Sequence, residues 1–236
     1  MKKETILEKL KEKQITSISM KVELKAVTPN IETTIVEIAR VSSKRVDKSS
    51  DPSGLINYLI VNKHFSPFEH GYITFEIETS KAIGIQLLRH RSFTFQEFSQ
   101  RYQDVNLLGE DLFEDVEVRE QAKDNRQSSE MVFDPSLDTV YGRRRASDEI
   151  GDLLDGSKEL YNKLLNAGVA REQARLILPM ATKTKIFMTG SVRSWIHFVA
   201  LRDDAHAQKE AQEIAKAIKD ILVEQTPLIS KALGWI

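Results

Sequence analysis

The sequence predicts an α+β protein: a single mixed domain, residues 1–236, in which a β-sheet is packed by helices and the C-terminal part is long and helical. Two patterns carry that expectation. The stretch Tyr72-Ile73-Thr74-Phe75-Glu76-Ile77-Glu78 alternates with period two, placing Ile73, Phe75 and Ile77 on one face of a strand. Near the other end, Ile214, Ile218, Ile221 and Leu222 form an apolar stripe at helical spacing. Neither strands nor helices dominate, and no internal repeat or low-complexity tract interrupts them.

Taken in order, residues 1–18 read as a polar lead-in, and Met20 to Val27 alternates apolar and charged residues as a half-buried strand does. Ile35, Ile38 and Ala39 then fall at helical spacing between Thr33 and Arg40, ending at Ser42-Ser43. Asp51 before Pro52 is an N-cap and first-turn pair for a helix carrying Leu55, Ile56, Leu59 and Ile60, which stops near His64. After the strand from Tyr72, Ser80 can cap a short helix with Ala82, Ile83, Ile85, Leu87 and Leu88. That helix is apolar almost all round, so deep burial is expected, with its C-terminus delivering Arg89-His90-Arg91 to a loop.

Residues 106–150 are acidic, then basic, with a breaker at Asp134-Pro135; they read as an irregular insertion or lid. Helix follows from Leu153 to Leu165, a turn at Asn166-Ala167-Gly168, and helix again from Glu172 to Leu178 before Pro179. Thr182 to Thr189 is β-like. The remainder reads as helix up to Pro227, and with no Pro or Gly between Val192 and Gln208 a break there is not expected.

Composition restricts the chemistry. With 34 basic and 35 acidic residues the formal net charge is -1, so bulk attraction to nucleic acid or membrane is not indicated, and any bound anion must be held by local arginines. No apolar run approaches a membrane span, and MKKETILEKLKEKQ alternates charge where a signal peptide is apolar, so a cytoplasmic location is expected. The chain has no cysteine, which excludes disulfides, thiolate metal sites and thiolate nucleophiles.

Three clusters could carry chemistry. In Arg89 to Tyr102, three arginines, His90 and Glu97 are interleaved with Phe93, Phe95, Phe98 and Tyr102. A solvated charged loop would have the same composition, but arginine beside an apolar element calls for an anionic partner, and its planar fork of donors matches phosphate oxygens. Glu97 suits a ribose hydroxyl or the orientation of a neighbouring arginine. The second cluster is His64-Phe65-Ser66-Pro67-Phe68-Glu69-His70, where a metal is the sharper alternative; the spacing is not that of a helical His pair and Pro67 bends the segment, so hydrogen bonding is preferred and no metal site is assigned. The third runs from Ala174-Arg175 to Leu178-Pro179 and from Ser191 to Gln208, where Arg193 and His197, and Arg202 and His206, stand at i, i+4 on a helix.

Arg89-His90-Arg91 followed after seven residues by Ser99 resembles the RHR-x7-S signature of flavin-dependent thymidylate synthases. Ala39-Arg40-Val41-Ser42, His64 to His70, Gln86, Ser99-Gln100-Arg101-Tyr102, Arg175 before Leu178-Pro179, and Ser191 to Glu210 look like further blocks of that family in its order. The resemblance implies FAD-dependent methylation of dUMP to dTMP, with 5,10-methylenetetrahydrofolate as carbon donor and NADPH as reductant. It also implies a homotetramer with active sites shared between subunits. Carried over by position, Ser42, His64, Ser66, Arg89, His90, Arg91, Gln96, Glu97, Ser191, Arg193, His197, Leu201 and His206 look like flavin contacts or near neighbours of the flavin. Gln86, Glu97, Ser99, Arg101, Tyr102, Arg175 and Arg202 look like nucleotide contacts, with Arg202 near the uracil; Arg202 and Ser99 are the candidate catalytic residues. Many members carry Asn where this chain has Gln96, Ser191 and His197.

The missing cysteine agrees with the resemblance, because the other type of thymidylate synthase activates uracil with a thiolate. Here activation would be electrostatic, with Arg202 stabilising charge on the ring. Two readings from other classes stand beside it. One is a metal-dependent nucleotide hydrolase using His64, Glu69, His70 and His90; the other is a non-catalytic nucleotide or RNA-binding module with Phe93, Phe95 and Phe98 as stacking platforms.

Overall fold

The structure is a computed structural model that describes residues 20–42, 51–126 and 128–236. The polar lead-in, residues 1–18, lies outside the described residues. Strand β1 (Lys21–Val27) leads to helix α1 (Ile31–Ala39), a 3-10 turn (Arg40–Ser42), helix α2 (Pro52–Val61) and a second 3-10 turn (Ser66–His70). Strand β2 (Tyr72–Ser80), helix α3 (Lys81–Leu88) and strand β3 (Thr94–Glu97) follow. Hairpins β4 (Arg119–Gln121)/β5 (Ser129–Val132) and β6 (Ser136–Thr139)/β7 (Gly142–Arg145) precede helices α4 (Ala146–Asn166) and α5 (Arg171–Ala174). Strand β8 (Lys183–Ser191) and helices α6 (Val192–Arg202), α7 (Lys209–Gln225) and α8 (Pro227–Ala232) complete the chain.

The main sheet has the order β1-β2-β8-β3, antiparallel throughout, with β2 and β8 paired from Tyr72↔Ser191 to Ser80↔Lys183. Alternation decides its faces. Ile73, Phe75 and Ile77 of β2 and Ile186 and Met188 of β8 are wholly buried and form one core with residues of α1, α2, α6, α7 and α8. Trp195 of α6 stands edge-on to Phe75 at 4.8 Å and donates its ring N–H to the Ile73 carbonyl at 3.1 Å, so the largest core side chain is also polar-satisfied. On the opposite face Glu76 sits between Lys25 at 3.0 Å and Lys185 at 2.9 Å. The α+β expectation is met.

The caps form as the sequence indicates: the Asp51 carboxylate accepts from the Ser53 N–H, and the Ser80 hydroxyl accepts from the Ile83 N–H. Three expectations need correction. Helix α3 is not buried all round: Ile83 and Leu87 are covered, but Ile85 is 50% exposed and Leu88 37%, because an eight-residue helix packs only one side against β2 and β8. The helix after Glu172 does not continue to Leu178; α5 has four residues and tightens into a 3-10 turn at Arg175–Ile177.

The third concerns the stretch after Val192. Helix α6 ends at Arg202, and residues 203–208 form a turn before α7. The Asp204 carboxylate accepts from the backbone N–H of His206 at 2.8 Å, a local bond that competes with helix propagation, and Asp203 pairs with Lys219 of α7 at 3.0 Å. Arg202 and His206 therefore do not share a helical face. No helix among the described residues is long and apolar enough to cross a membrane.

Candidate active site

The site is organised around α6. Its N-terminus is capped by Ser191, whose hydroxyl accepts from the Ser194 N–H at 3.3 Å and donates to the Glu69 carboxylate at 2.6 Å. Glu69 also receives Arg193 at 2.8 Å; the Ser191 hydroxyl first, then Arg193, holds its carboxyl below the usual range. Beside this pair His197 packs on Phe65 at 5.6 Å, and His64 meets the edge of Tyr58 at 5.8 Å. Ser66, exposed, opens the 3-10 turn that carries Glu69. One surface thus presents His64, Ser66, Arg193 and His197, while Ser191 is buried as a cap.

The turn after α3 runs along α6. The Ser92 carbonyl accepts from the Ser194 hydroxyl at 3.2 Å, and Phe93 packs on Trp195 at 4.5 Å. Gly190 makes room for that ring: a Cβ there would lie 2.4 Å from Phe93 atoms. His90 is half-buried between Phe198 at 5.0 Å and Phe93 at 6.2 Å. Its Nε2 accepts from the Arg202 Nε–H at 3.0 Å, and Arg202 Nη2 reaches the Gln86 carbonyl at 3.4 Å. Burial, then the Arg202 charge, lowers the His90 pKa to about 4, so the ring is neutral near pH 7. Burial, then the Arg89 charge, lowers that of Arg202.

The partners of Arg202 are therefore a neutral imidazole and a carbonyl. Among the described residues no carboxylate pairs with it, nor with Arg89 or Arg91, which are exposed at the end of α3. Unmatched guanidinium charge of this kind favours an anionic ligand.

Two further groups complete the picture. Glu97, at the end of β3, receives Lys81 at 2.7 Å and the Thr184 hydroxyl at 2.9 Å, both on Oε1. Arg101 lies 5.8 Å from the Tyr102 ring and 3.7 Å from Glu172, while Arg175 Nε donates to the Glu172 carbonyl at 3.4 Å. The Ser99 carbonyl receives the N–H groups of Tyr102 and Gln103, turning the chain so that Arg101 and Tyr102 face outward. Gln96 is exposed on β3, Leu201 is 59% exposed, and His206 is solvated on Asp204. Ser42 closes its 3-10 turn, and its side chain is outside the described ones.

Sequence reasoning missed Lys81 and Thr184, and the contact in which the Gln208 amide oxygen accepts from Gln86 Nε2 at 2.6 Å. Contacts over such separations leave no local pattern. Of the four candidate metal ligands, Glu69 is hydrogen-bonded to Ser191 and Arg193, and His90 to Arg202. Among the described residues no group of three or more His, Cys, Asp or Glu could hold a metal ion. Gln208 also lines a cavity of about 870 Å³, but there Glu114, Asp115, Glu117, Glu210 and Glu213 outnumber Arg119 and Lys209, which pair with Glu210 and Glu117, a poor environment for phosphate.

Comparison with known proteins places the chain in a family. Residues 23–228 match the family described as thymidylate synthase complementing protein. A probable flavin-dependent thymidylate synthase of Paramecium bursaria Chlorella virus 1 is 42% identical over 205 residues, covering 86% of this chain and 90% of the relative. The flavin-dependent thymidylate synthase of Synechocystis sp. is 40% identical over 201 residues, covering 85% and 88%. That of Thermosipho africanus is 35% identical over 193 residues, covering 81% of each.

Proposed function

The chain belongs to the flavin-dependent thymidylate synthase family, and from that premise we propose that it converts dUMP to dTMP with FAD, taking carbon from 5,10-methylenetetrahydrofolate and reducing equivalents from NADPH. The observation that carries this reading is the state of Arg202: half-buried, fixed at Nε and Nη2, and facing no carboxylate among the described residues. Such a charge, held without reorganisation in a water-poor place, stabilises negative charge developing on a uracil carbonyl or ring nitrogen. With no cysteine in the chain, this electrostatic activation replaces a thiolate.

The donor set suits both ligands. Exposed Arg89 and Arg91, with Arg193 and His197 along α6, offer charged forks and ring donors to a dinucleotide's phosphates and ring amides. Bound there, FAD supplies the hydride chemistry and NADPH restores it. The remaining residues bind and orient the nucleotide. Arg101 and Arg175 hold the phosphate, and Tyr102 lines the same pocket. Glu97, tied through Oε1 to Lys81 and Thr184, offers Oε2 to a ribose hydroxyl. Ser99 donates its hydroxyl to the nucleotide. Each site is completed by a second subunit of a homotetramer.

The test is direct. Purified protein should show the visible absorption of oxidised flavin, or acquire it on adding FAD, and should form dTMP anaerobically from dUMP, methylenetetrahydrofolate and NADPH. Protein that neither binds FAD nor forms dTMP contradicts the proposal.

A further inference from the structure

The contact between α6 and the turn after α3 carries a specific consequence for His90. An arginine Nε always bears its proton, so an imidazole nitrogen 3.0 Å away from it must be an acceptor. The proton of a neutral ring then resides on Nδ1. Resting on the function proposed above, we propose that His90 is a positioning residue: its Nε2 lone pair fixes the Arg202 guanidinium, and its Nδ1–H is the donor left for a bound ligand.

Fixing an arginine is ordinarily the work of a carboxylate, which would also neutralise the charge. A neutral imidazole fixes the plane and leaves the charge intact. With the Gln86 carbonyl on Nη2, two of the three guanidinium nitrogens are tied and Nη1 remains for substrate. The ring is itself held, by Phe198 and Phe93. The charged group facing it from α6 is Arg202, and Arg89 of its own turn acts on Arg202, so both neighbours are cations and disfavour an imidazolium.

The experiment uses the full-length protein and has two arms. In nitrogen NMR of the histidine side chains, His90 is expected as the Nδ1–H tautomer, without titrating, between about pH 5.5 and 8. In turnover, His90→Gln, which keeps an acceptor, should retain kcat within about 5-fold, whereas His90→Leu should lose about 10–100-fold with flavin binding retained. Three outcomes overturn the proposal: an Nε2–H tautomer, titration near the ordinary histidine value, or equal kcat losses in the two variants. The NMR arm needs no turnover. It therefore stands even if a variant fails to fold, and a wild-type enzyme that makes no dTMP would remove the functional reading while leaving the tautomer measurement to decide.

Discussion

Arg193 and Arg202 leave one unbroken helix in opposite directions, Arg193 to Glu69 at 2.8 Å and Arg202 to His90 at 3.0 Å. At ~100° per residue the nine positions between them amount to a rotation of about 180°. The break in the chain comes only after Arg202, so a single straight helix serves two separate surroundings. If the flavin takes Arg193 and the nucleotide takes Arg202, each complete site draws on two subunits. Hybrids of Arg193→Ala and Arg202→Ala subunits should then recover activity that neither variant has alone. Verified hybrid formation without recovery would contradict shared sites.

Gly190→Ala should destabilise the protein by about 1–3 kcal/mol, the cost of overpacking a core. The new Cβ would collide with the Phe93 ring, which is wedged against Trp195 and also borders His90. Denaturant unfolding measures the first effect. A parallel loss of kcat is expected because the Arg89-His90-Arg91 turn shifts with Phe93, and unchanged stability would show that the ring can move freely.

Glu69 sets an acid limit on the α6 N-terminus. Its folded pKa is depressed by the Ser191 hydroxyl and then by Arg193, so the stabilisation is complete above the ordinary carboxylate range and is lost as pH falls through the depressed value. Glu69→Gln removes that linkage. Wild type should exceed the variant in stability at neutral pH, and the difference should vanish in acid. A difference that persists at the lowest pH would assign the effect to packing.

Much of this architecture was legible in the sequence. The β2 alternation and the Asp51 and Ser80 caps are local signals, and each formed where the residues indicated. The end of α6 was missed because Pro and Gly were sought as breakers, whereas Asp204 ends the helix with its own carboxylate. The exposed side of α3 was missed because an apolar count does not reveal that only one side has a neighbour. Within the candidate site, Arg202 was identified from the motif block. So was His90, but the contact between the two was not, since 112 residues separate them and only the fold brings them together.

Ser99→Ala should raise KM for dUMP more than it lowers kcat. Its hydroxyl has no hydrogen-bond partner among the described residues, so no base activates it as a nucleophile, and binding is the role left to it. Steady-state kinetics separates the two parameters. A covalent nucleotide adduct at Ser99, detected by mass spectrometry of trapped enzyme, would reverse the assignment.

Arg202→Ala bears most directly on the account, because the uncompensated guanidinium is its only means of activating uracil. Anaerobic turnover should be measured on variant protein whose flavin content and unfolding midpoint match wild type. The expected result is a fall in kcat of about 10²–10³-fold, the range for loss of one transition-state charge stabiliser. Turnover within a few-fold of wild type would place uracil activation elsewhere in the molecule.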